Sequence, residues 1–576
     1  MGTKGREYRW TLAEPIDPAA AARLSREINV PEPIARILID RGIDTYDAAK
    51  VYFRPSLSSL HDPFLMSGMS AAVDRIIRAL QGRERILVFG DYDVDGTNAA
   101  AMLYLFFREL GGEVEYYIPD RIREGYGISR EAIERAHQSG VGIFLSVDCG
   151  IGAVEEAALA KSLGLDMIIC DHHEPGPALP EAAAVLDPIK PGDTYPYKAL
   201  CGCGVGFKLI QAVARALGRE QDVHGYLDFV AMSSAADIVP LTGENRILRR
   251  LGLAILNEHP RPGMKALIAG AGLRSKEIST GQIIFVLGPR INAAGRLGDA
   301  TRAVRLLTST DPQEAFDLAA ELEEENRNRR KIDEDTFASA QLLAESLFDT
   351  ENEAAIVLHH ESWHPGVVGI VASRMVEKYY KPSIMMATVD GVARGSARSI
   401  NGFDIYEALR RSADTVIRFG GHKYAAGVTV DLSRIDEFRD TFLKHVRDMM
   451  TEDLMMPELR IDTEITLAEI TPRFMRILKE LAPFGPGNPV PVFVCRDLEV
   501  VGSPRIVGKN HLRLRVRQQE TFIDAIGFGL GGLLNRVPAG RTGLECVCTV
   551  EENTWVSASG ARAGDGLPQL KLRDLR

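Results

Sequence analysis

Three carboxylates stand on alternate residues, Asp91, Asp93 and Asp95, within the stretch ILVFGDYDVDGTNAA at 86–100. Acids crowded this closely repel one another and call for a cation. The pattern D-x-D-x-D-G also opens a calcium-binding EF-hand loop, which needs a bidentate Glu at its twelfth position and a helix in front. The twelfth position is Met102, and Ile86, Leu87, Val88 and Phe89 in front form a short apolar run that predicts a buried strand. Residues 98–105 predict a helix, with Gly96 read as the turn that lets it leave. Strand, acidic turn and helix together are the usual address of an α/β active site.

Other apolar runs end in the same kind of residue. GIFLSVD delivers Asp148, DMIIC delivers Asp171, His172 and His173, and YLDFVAMSSAADIVPL delivers Asp237. In a parallel sheet, strand ends lie on one edge, so these groups are expected together. Carboxylate oxygens with imidazole nitrogen suit Mn²⁺ or Mg²⁺. Five or six such ligands exceed what one ion needs beside water, and two ions ~3.5–4 Å apart sharing one carboxylate accommodate them. Such a pair activates a bridging water, clamps the attacking and leaving oxygens, and suits phosphoester hydrolysis.

The elements that must position these groups follow from periodicity. From about 86 to 240, strand-like runs alternate with helical ones, which predicts a doubly wound, mostly parallel sheet. Residues 317–345 are charged and free of Gly and Pro, and predict a long connecting helix. A second α/β pattern runs from EAAIVLHH to about 445. From 457 on, short alternating runs such as HLRLRVR predict a small, barrel-like all-β module.

The whole chain bounds the reading. At 576 residues it is too long for one core, and three or four domains are expected. No apolar run reaches the ~18 residues of a membrane span, and MGTKGREYRW lacks a signal-peptide core. Cys201-x-Cys203 and Cys546-x-Cys548 read as structural thiols, and a cytoplasmic setting fits. The net charge is −11, yet the segment from Leu459 onward holds 16 Lys+Arg and 13 Asp+Glu, leaving −14 on the rest. A mildly basic tail on an acidic body suits a metal site coupled to a polyanion-binding module.

DYDVDG, SVDCGI, DHH and ADIVPL, in this order and spacing, resemble the four motifs of the DHH phosphoesterase superfamily. IPDRIREGYGIS, CGCGVGFKL, FVLGPRINAAGRLGDA, WHPGVVGIVASR, GSARSI, FGGHKYAAG and LAPFGPGNPVPVF resemble, within it, the RecJ family of single-strand-specific 5′→3′ exonucleases. The likeness runs from about residue 30 to the C-terminus. It implies a DHH domain with an N-terminal extension (1–315), a connecting helix (316–348), a DHH-associated substrate-binding domain (349–456) and an OB-like β-barrel (457–576). The two α/β domains would enclose a cleft that admits one strand and excludes a duplex.

The resemblance also implies roles. Asp93, Asp95, Asp148, His172 and Asp237 match metal ligands for two Mn²⁺ or Mg²⁺ ions, with Asp148 as the bridge. Asp91 and Asp171 fall beside them as supporting residues, and His173 matches a histidine facing the scissile phosphate. Ser396 and Arg398, two apart and so on one side of an extended segment, resemble a 5′-phosphate pocket that Arg121 joins. Arg290 and Asn292 are expected at the phosphates near the metals, and Gly420, Gly421 and His422 in a substrate-binding glycine motif. Arg505, Lys509, Arg513, Arg515 and Arg517 resemble an OB groove that tracks single-stranded backbone. Trp555, Phe522 and Phe528 are read as core residues rather than base-stacking ones.

Departures from the family pattern remove no ligand. TNAA follows the first motif where small hydroxyl residues are common, Asp187-Pro188 stands where Asn-Pro is usual, and SSAAD replaces a Gly-containing run. Phe89 occupies a position where some members place a metal-binding His. The expected activity is a metal-dependent exodeoxyribonuclease releasing 5′-mononucleotides from the 5′ end of single-stranded DNA in repair and recombination. A monomer is expected, with a single-strand-binding protein or a helicase as partner and no membrane. Two alternatives remain open at this point: a DHH phosphodiesterase for short oligonucleotides or nucleotide phosphates, and a binding protein with a degenerate site.

Overall fold

The structure is a computed structural model that describes residues 7–121, 123–125, 127–273, 277–349, 352–553 and 566–576. Trp555 lies outside the described residues. The chain divides into two compact units, Met1–Thr11 with Glu325–Arg460, and Leu12–Glu324 with Ile461–Arg576.

The larger unit contains a five-stranded sheet, β1 (Arg85–Gly90), β2 (Glu113–Tyr117), β3 (Val141–Val147), β4 (Asp166–Cys170) and β5 (Ala184–Leu186). All pairs are parallel and the spatial order is β2-β1-β3-β4-β5. The period of two sorts β1 between two cores. Ile86 and Val88 face helices α1 (Met69–Gly82) and α2 (Val94–Glu109). Leu87 and Phe89 face α3 (Arg130–Gln138) and α4 (Val154–Ser162). Helices α5 (Gly202–Ala216), α6 (Leu227–Ala236) and α7 (Gly243–Glu258) complete the first face, and α8 (Gly288–Leu297) follows.

Strand order reverses between β1 and β3, which is where open α/β sheets place their ligand crevice. Register sharpens this. Gly90, Val147, Cys170 and Leu186 stand side by side as the last paired residues of four neighbouring strands. The residues that follow them, Asp91, Asp148, Asp171 and Asp187, therefore share the carboxyl edge.

Helix α9 (Pro312–Leu347) is the expected long helix, begun a few residues before the charged run. Its first part, to Glu324, belongs to the larger unit and its remainder to the smaller. The smaller unit holds a second five-stranded sheet, β6 (Ile356–His360), β7 (Ser383–Val389), β8 (Val392–Arg398), β9 (Arg418–His422) and β10 (Ala425–Asp431), with α10 (Val368–Tyr379) packed against it. Its order is β9-β10-β8-β7-β6, with only β6 and β7 parallel.

The last module has β11 (Thr463–Glu464), β12 (Phe493–Val507), β13 (His511–Gln518), β14 (Thr521–Gly527), β15 (Leu544–Glu552) and β16 (Pro568–Leu575). The order β12-β13-β14-β16-β15 closes through a β12–β15 pairing into a five-stranded barrel, as in an OB fold. Its core also takes Leu24, Ile34, Ile37 and Leu38 from helices Pro18–Glu27 and Glu32–Asp40. The N-terminal extension thus shares its apolar core with the barrel. Among the described residues no helix is long and apolar enough to cross a membrane.

Candidate metal centre

Seven of the eight acids and histidines singled out from the sequence, all but Asp171, contribute to one cluster of donors at the carboxyl edge. Their ligand atoms form three overlapping groups: Asp91, Asp93 and Asp148; Asp148, His172 and His173; and Asp95, His172 and Asp237. Within each group the atoms lie within 4.8 Å of one another. Asp148 and His172 each belong to two groups, so the three form one continuous centre.

Local structure fixes each donor. Asp93 caps α2, accepting from the Asp95 and Gly96 amides at 2.8 and 3.2 Å. Asp95 stands in the first turn of α2 and is 1% exposed. Its two oxygens accept from Gly202 N and Cys203 N at 2.7 and 2.9 Å, so the amino end of α5 holds this carboxylate. Asp148 has φ +62°, a left-handed conformation costly for a non-glycine residue and characteristic of functional turns. Its amide donates to Cys170 O at 2.9 Å, tying the β3 turn to β4.

His172 directs Nε2 at the acids, 3.1 Å from Asp148, 3.7 Å from Asp237 and 3.9 Å from Asp95. Asp171 organises both histidines, accepting from the amides of His172 and His173 and from His173 Nδ1 at 2.7 Å, while Ile151 N donates to its other oxygen.

Two close approaches demand glycine. A Cβ on Gly96 would lie 2.4 Å from Asp91 N and O, so this residue is not the turn read from the sequence but the point where α2 presses on the acidic loop. A Cβ on Gly202 would lie 2.6 Å from the Asp148 side chain, so glycine lets α5 reach the centre.

Electrostatics records the crowding. Burial, then the charge of Asp93, pushes Asp91 up to about 8. Burial, then Asp95, pushes Asp237 up to about 8 and Asp148 well above the carboxylate range. Asp93 is raised by the same causes. Burial holds His172 below its ordinary value. Burial also opposes charge on His173, but its bond to Asp171 and the nearby acids outweigh this and raise it to about 9. Burial likewise opposes charge on Asp171, and the His173 bond outweighs it, so this carboxyl is lowered. Asp91 Oδ1 and Asp237 Oδ2 are buried without a hydrogen-bond partner. Excess carboxylate, orphaned oxygens and a neutral imidazole together fit hard divalent cations.

Several expectations are corrected. Asp237 does not end a strand: the apolar and small residues before it are buried all round and helical, and it caps the carboxyl end of α6. Arg290 is engaged by neighbouring helices. It is 5% exposed, donates to Glu323 and Val286 O at 2.6 Å each, and knits α8 to α9. Asn292 accepts from Val94 N at 3.1 Å, so it supports the acidic loop. One residue passed over is Asp187, fourth in the edge row, fully buried, with Oδ2 unpartnered and its carboxyl raised by burial to about 7. Its only signal in the sequence was the family departure.

Arg121 stacks over Tyr92, between the first two acids, with its guanidinium carbon 5.0 Å from the ring centroid. In the smaller unit, strand register gathers the other anion-binding candidates. Ser396 stands beside Gly427, which faces Gly420, and Arg398 stands beside Ala425, which faces His422. Gly421 sits between them at φ +140°. Arg398 Nη1 donates to Ser396 Oγ at 2.8 Å, and both side chains lie over Gly369 in the first turn of α10, another residue the sequence reading passed over.

On the barrel, Arg513, Arg515 and Arg517 do share one face, but neighbouring strands supply acids. Arg513 and Arg515 pair with Asp524 at 3.5 and 2.6 Å, and Arg517 pairs with Glu499. Arg505 and Lys509 carry no ion pair with the described residues. Phe522 and Phe528 are not core residues. They are 48% and 54% exposed, with Arg517 and Lys571 over their rings.

Comparison with known proteins places this architecture. The DHH family N-terminal domain matches residues 85–233, the DHHA1 domain 352–448 and the RecJ OB domain 461–561. The chain is 36% identical to the single-stranded-DNA-specific exonuclease RecJ of Bacillus subtilis over 99% of its own length and 71% of that protein's. The Escherichia coli protein of the same name is 35% identical, over 81% and 84% of the two chains. The crystal structure of RecJ in complex with Mn²⁺ from Thermus thermophilus matches with a TM-score of 0.84 at 29% identity, covering 100% of this chain and 80% of that one. With three domain matches in order and relatives of this identity aligned over most of both chains, this chain belongs to the RecJ family of single-stranded-DNA-specific exonucleases.

Proposed function

We propose that the seven-residue centre hydrolyses phosphodiester bonds at the 5′ end of single-stranded DNA, releasing 5′-mononucleotides in repair and recombination. The observation that carries the reading is the convergence of Asp91, Asp93, Asp95, Asp148, His172, His173 and Asp237 from four separate segments into one set of overlapping donor groups. The family relatives are named as single-stranded-DNA-specific exonucleases, and solved ones are described with Mn²⁺ or Mg²⁺.

Asp93, Asp95, Asp148, His172 and Asp237 would hold two divalent ions, with Asp148 shared. Bound there, Mn²⁺ or Mg²⁺ supplies an activated water and charge stabilisation at the phosphorus. The chain's own groups do the rest. His173, held charged by Asp171, faces the phosphate as an electrostatic stabiliser and a proton donor to the leaving oxygen. Asp171 fixes both histidine rings, and Asp91 supports the turn that presents Asp93. Ser396 and Arg398 are the donors for the 5′-phosphate, and Arg121, over Tyr92 beside the acids, is a separate phosphate donor, since arginine meets phosphate with two parallel hydrogen bonds. Gly420, Gly421 and His422 bring bare backbone to the same strand rows. Arg505 and Lys509 are the barrel cations available to the DNA backbone. The reading extends to a monomeric chain in a cytoplasmic setting, working beside a helicase or a single-strand-binding protein.

The test uses single-stranded DNA labelled at either end, with and without a 5′-phosphate, and Mn²⁺ or Mg²⁺. The expected result is immediate release of a 5′ label as a mononucleotide, late release of a 3′ label, and faster digestion of phosphorylated ends. Release from the 3′ end, or equal rates on a trinucleotide and a long strand, contradicts the reading.

A further inference from the structure

Among the donors, Asp237 alone is carried by the carboxyl end of a helix, and what holds that end is unusual. Arg249 of α7 is fully buried. Its Nη2 donates to Ser234 O and its Nε donates to Ser234 Oγ at 3.1 Å, in the last turn of α6, three residues before Asp237. No carboxylate pairs with it among the described residues. Burying an unpaired guanidinium is costly, and packing alone would be served better by an apolar side chain. The interaction it does make is that of a cation at a helix carboxyl end, where the peptide dipoles and the free carbonyls favour positive charge.

The segment beyond Asp237 is pinned as well. Ile238 has φ +59°, an outlier for a β-branched residue, and is 56% exposed. Leu241 N donates to Pro486 O at 2.6 Å, so the chain leaving Asp237 is fastened to the loop before the barrel. The carboxylate stands between two anchors, Arg249 behind and Leu241 ahead, across a strained link.

We propose that Arg249 is a positioning residue that fixes the carboxyl end of α6 and thereby sets Asp237 for cation binding. The proposal rests on reading Asp237 as a metal ligand. The hydrogen bonds of Arg249 go to Ser234 and to none of the centre's acids or histidines. It acts by holding the Ser234 carbonyl.

The test measures Mn²⁺ binding to the full chain by titration calorimetry and by electron paramagnetic resonance. The variants are Arg249→Met, Arg249→Lys, Ser234→Ala and Asp237→Ala, with the melting temperature of each in EDTA as the fold control. Removing a group that orients a metal ligand weakens metal affinity by about 10- to 100-fold. Arg249→Met is expected to weaken one Mn²⁺ site by about tenfold or more, to lower kcat, and to leave KM for single-stranded DNA unchanged. Arg249→Lys, which can still donate to the Ser234 carbonyl, is expected to recover most of the affinity. Ser234→Ala, which keeps the carbonyl, is expected to give a smaller loss in the same direction and serves if Arg249→Met does not fold. If Asp237→Ala weakens Mn²⁺ binding while Arg249→Met and Ser234→Ala bind as tightly as the unaltered chain, the positioning role is wrong. If Asp237→Ala itself binds Mn²⁺ normally, the ligand reading beneath it is wrong.

Discussion

At the scale of single residues, the centre divides its labour by protonation. His172 is held below its ordinary value and Asp148 above, whereas His173 is raised to about 9 and Asp171 lowered. In the first pair His172 is already neutral and Asp148 has a proton to yield to metal ions, and the second is already an ion pair. His173→Gln should therefore leave Mn²⁺ affinity unchanged and lower kcat by about 10²–10⁴-fold, the usual worth of a positioned proton donor. Steady-state rates with a Mn²⁺ titration check this, and an unchanged kcat would remove His173 from the chemistry. The seven donors were legible in the sequence because acids and histidines at the ends of apolar runs are scarce and alike. Asp187 was not, because its importance lies in cross-strand register with Asp171 and Asp148, which one strand's sequence does not reveal.

At the scale of elements, helices α2 and α5 reach the acids only where glycine permits it. Gly202→Ala would drive a methyl to 2.6 Å from Asp148. The expected outcome is a stability loss of about 1–3 kcal/mol from overpacking, together with weaker Mn²⁺ binding. Denaturant unfolding and metal titration read the two effects separately, and a variant with unchanged metal affinity would show that α5 does not set the Asp148 position. The strands of the larger unit's parallel sheet were readable as short apolar runs, those of the barrel from their alternation, and the long helix from its lack of Gly and Pro. The element under Asp237 was misread because a run buried on all sides has no polar face to distinguish period 3.6 from period 2. The arginine stripe of β13 was legible as one face, but its ion pairs were not, since Asp524 and Glu499 come from the flanking strands.

At the scale of the whole molecule, the centre stores unfavourable charge. Asp91 and Asp237, at about 8, hold protons in the folded chain that an unfolded chain releases near pH 4. A raised carboxyl contributes stability that is full below the unfolded pKa and lost as pH rises through the folded one. The metal-free chain should lose stability between about pH 4 and pH 8 on this account. Divalent ions replace those protons, so melting curves in EDTA and in saturating Mn²⁺ should diverge steadily from about pH 5.5 to 8.5. Curves that stay parallel across that range would deny the coupling. The division into units escaped the sequence for a related reason. Helices Pro18–Glu27 and Glu32–Asp40 read as part of the first domain by position, yet their apolar faces complete the core of a barrel that lies more than four hundred residues later.

The measurement that bears most directly on the centre is Mn²⁺ stoichiometry and single-strand hydrolysis in the same samples, for the unaltered chain and for Asp148→Ala. The shared position of Asp148 predicts two Mn²⁺ ions per unaltered chain, fewer in the variant, and loss of at least about 10³-fold in hydrolysis, with the melting temperature in EDTA retained. An Asp148→Ala chain that digests single-stranded DNA at the normal rate in Mn²⁺ would contradict the two-metal account.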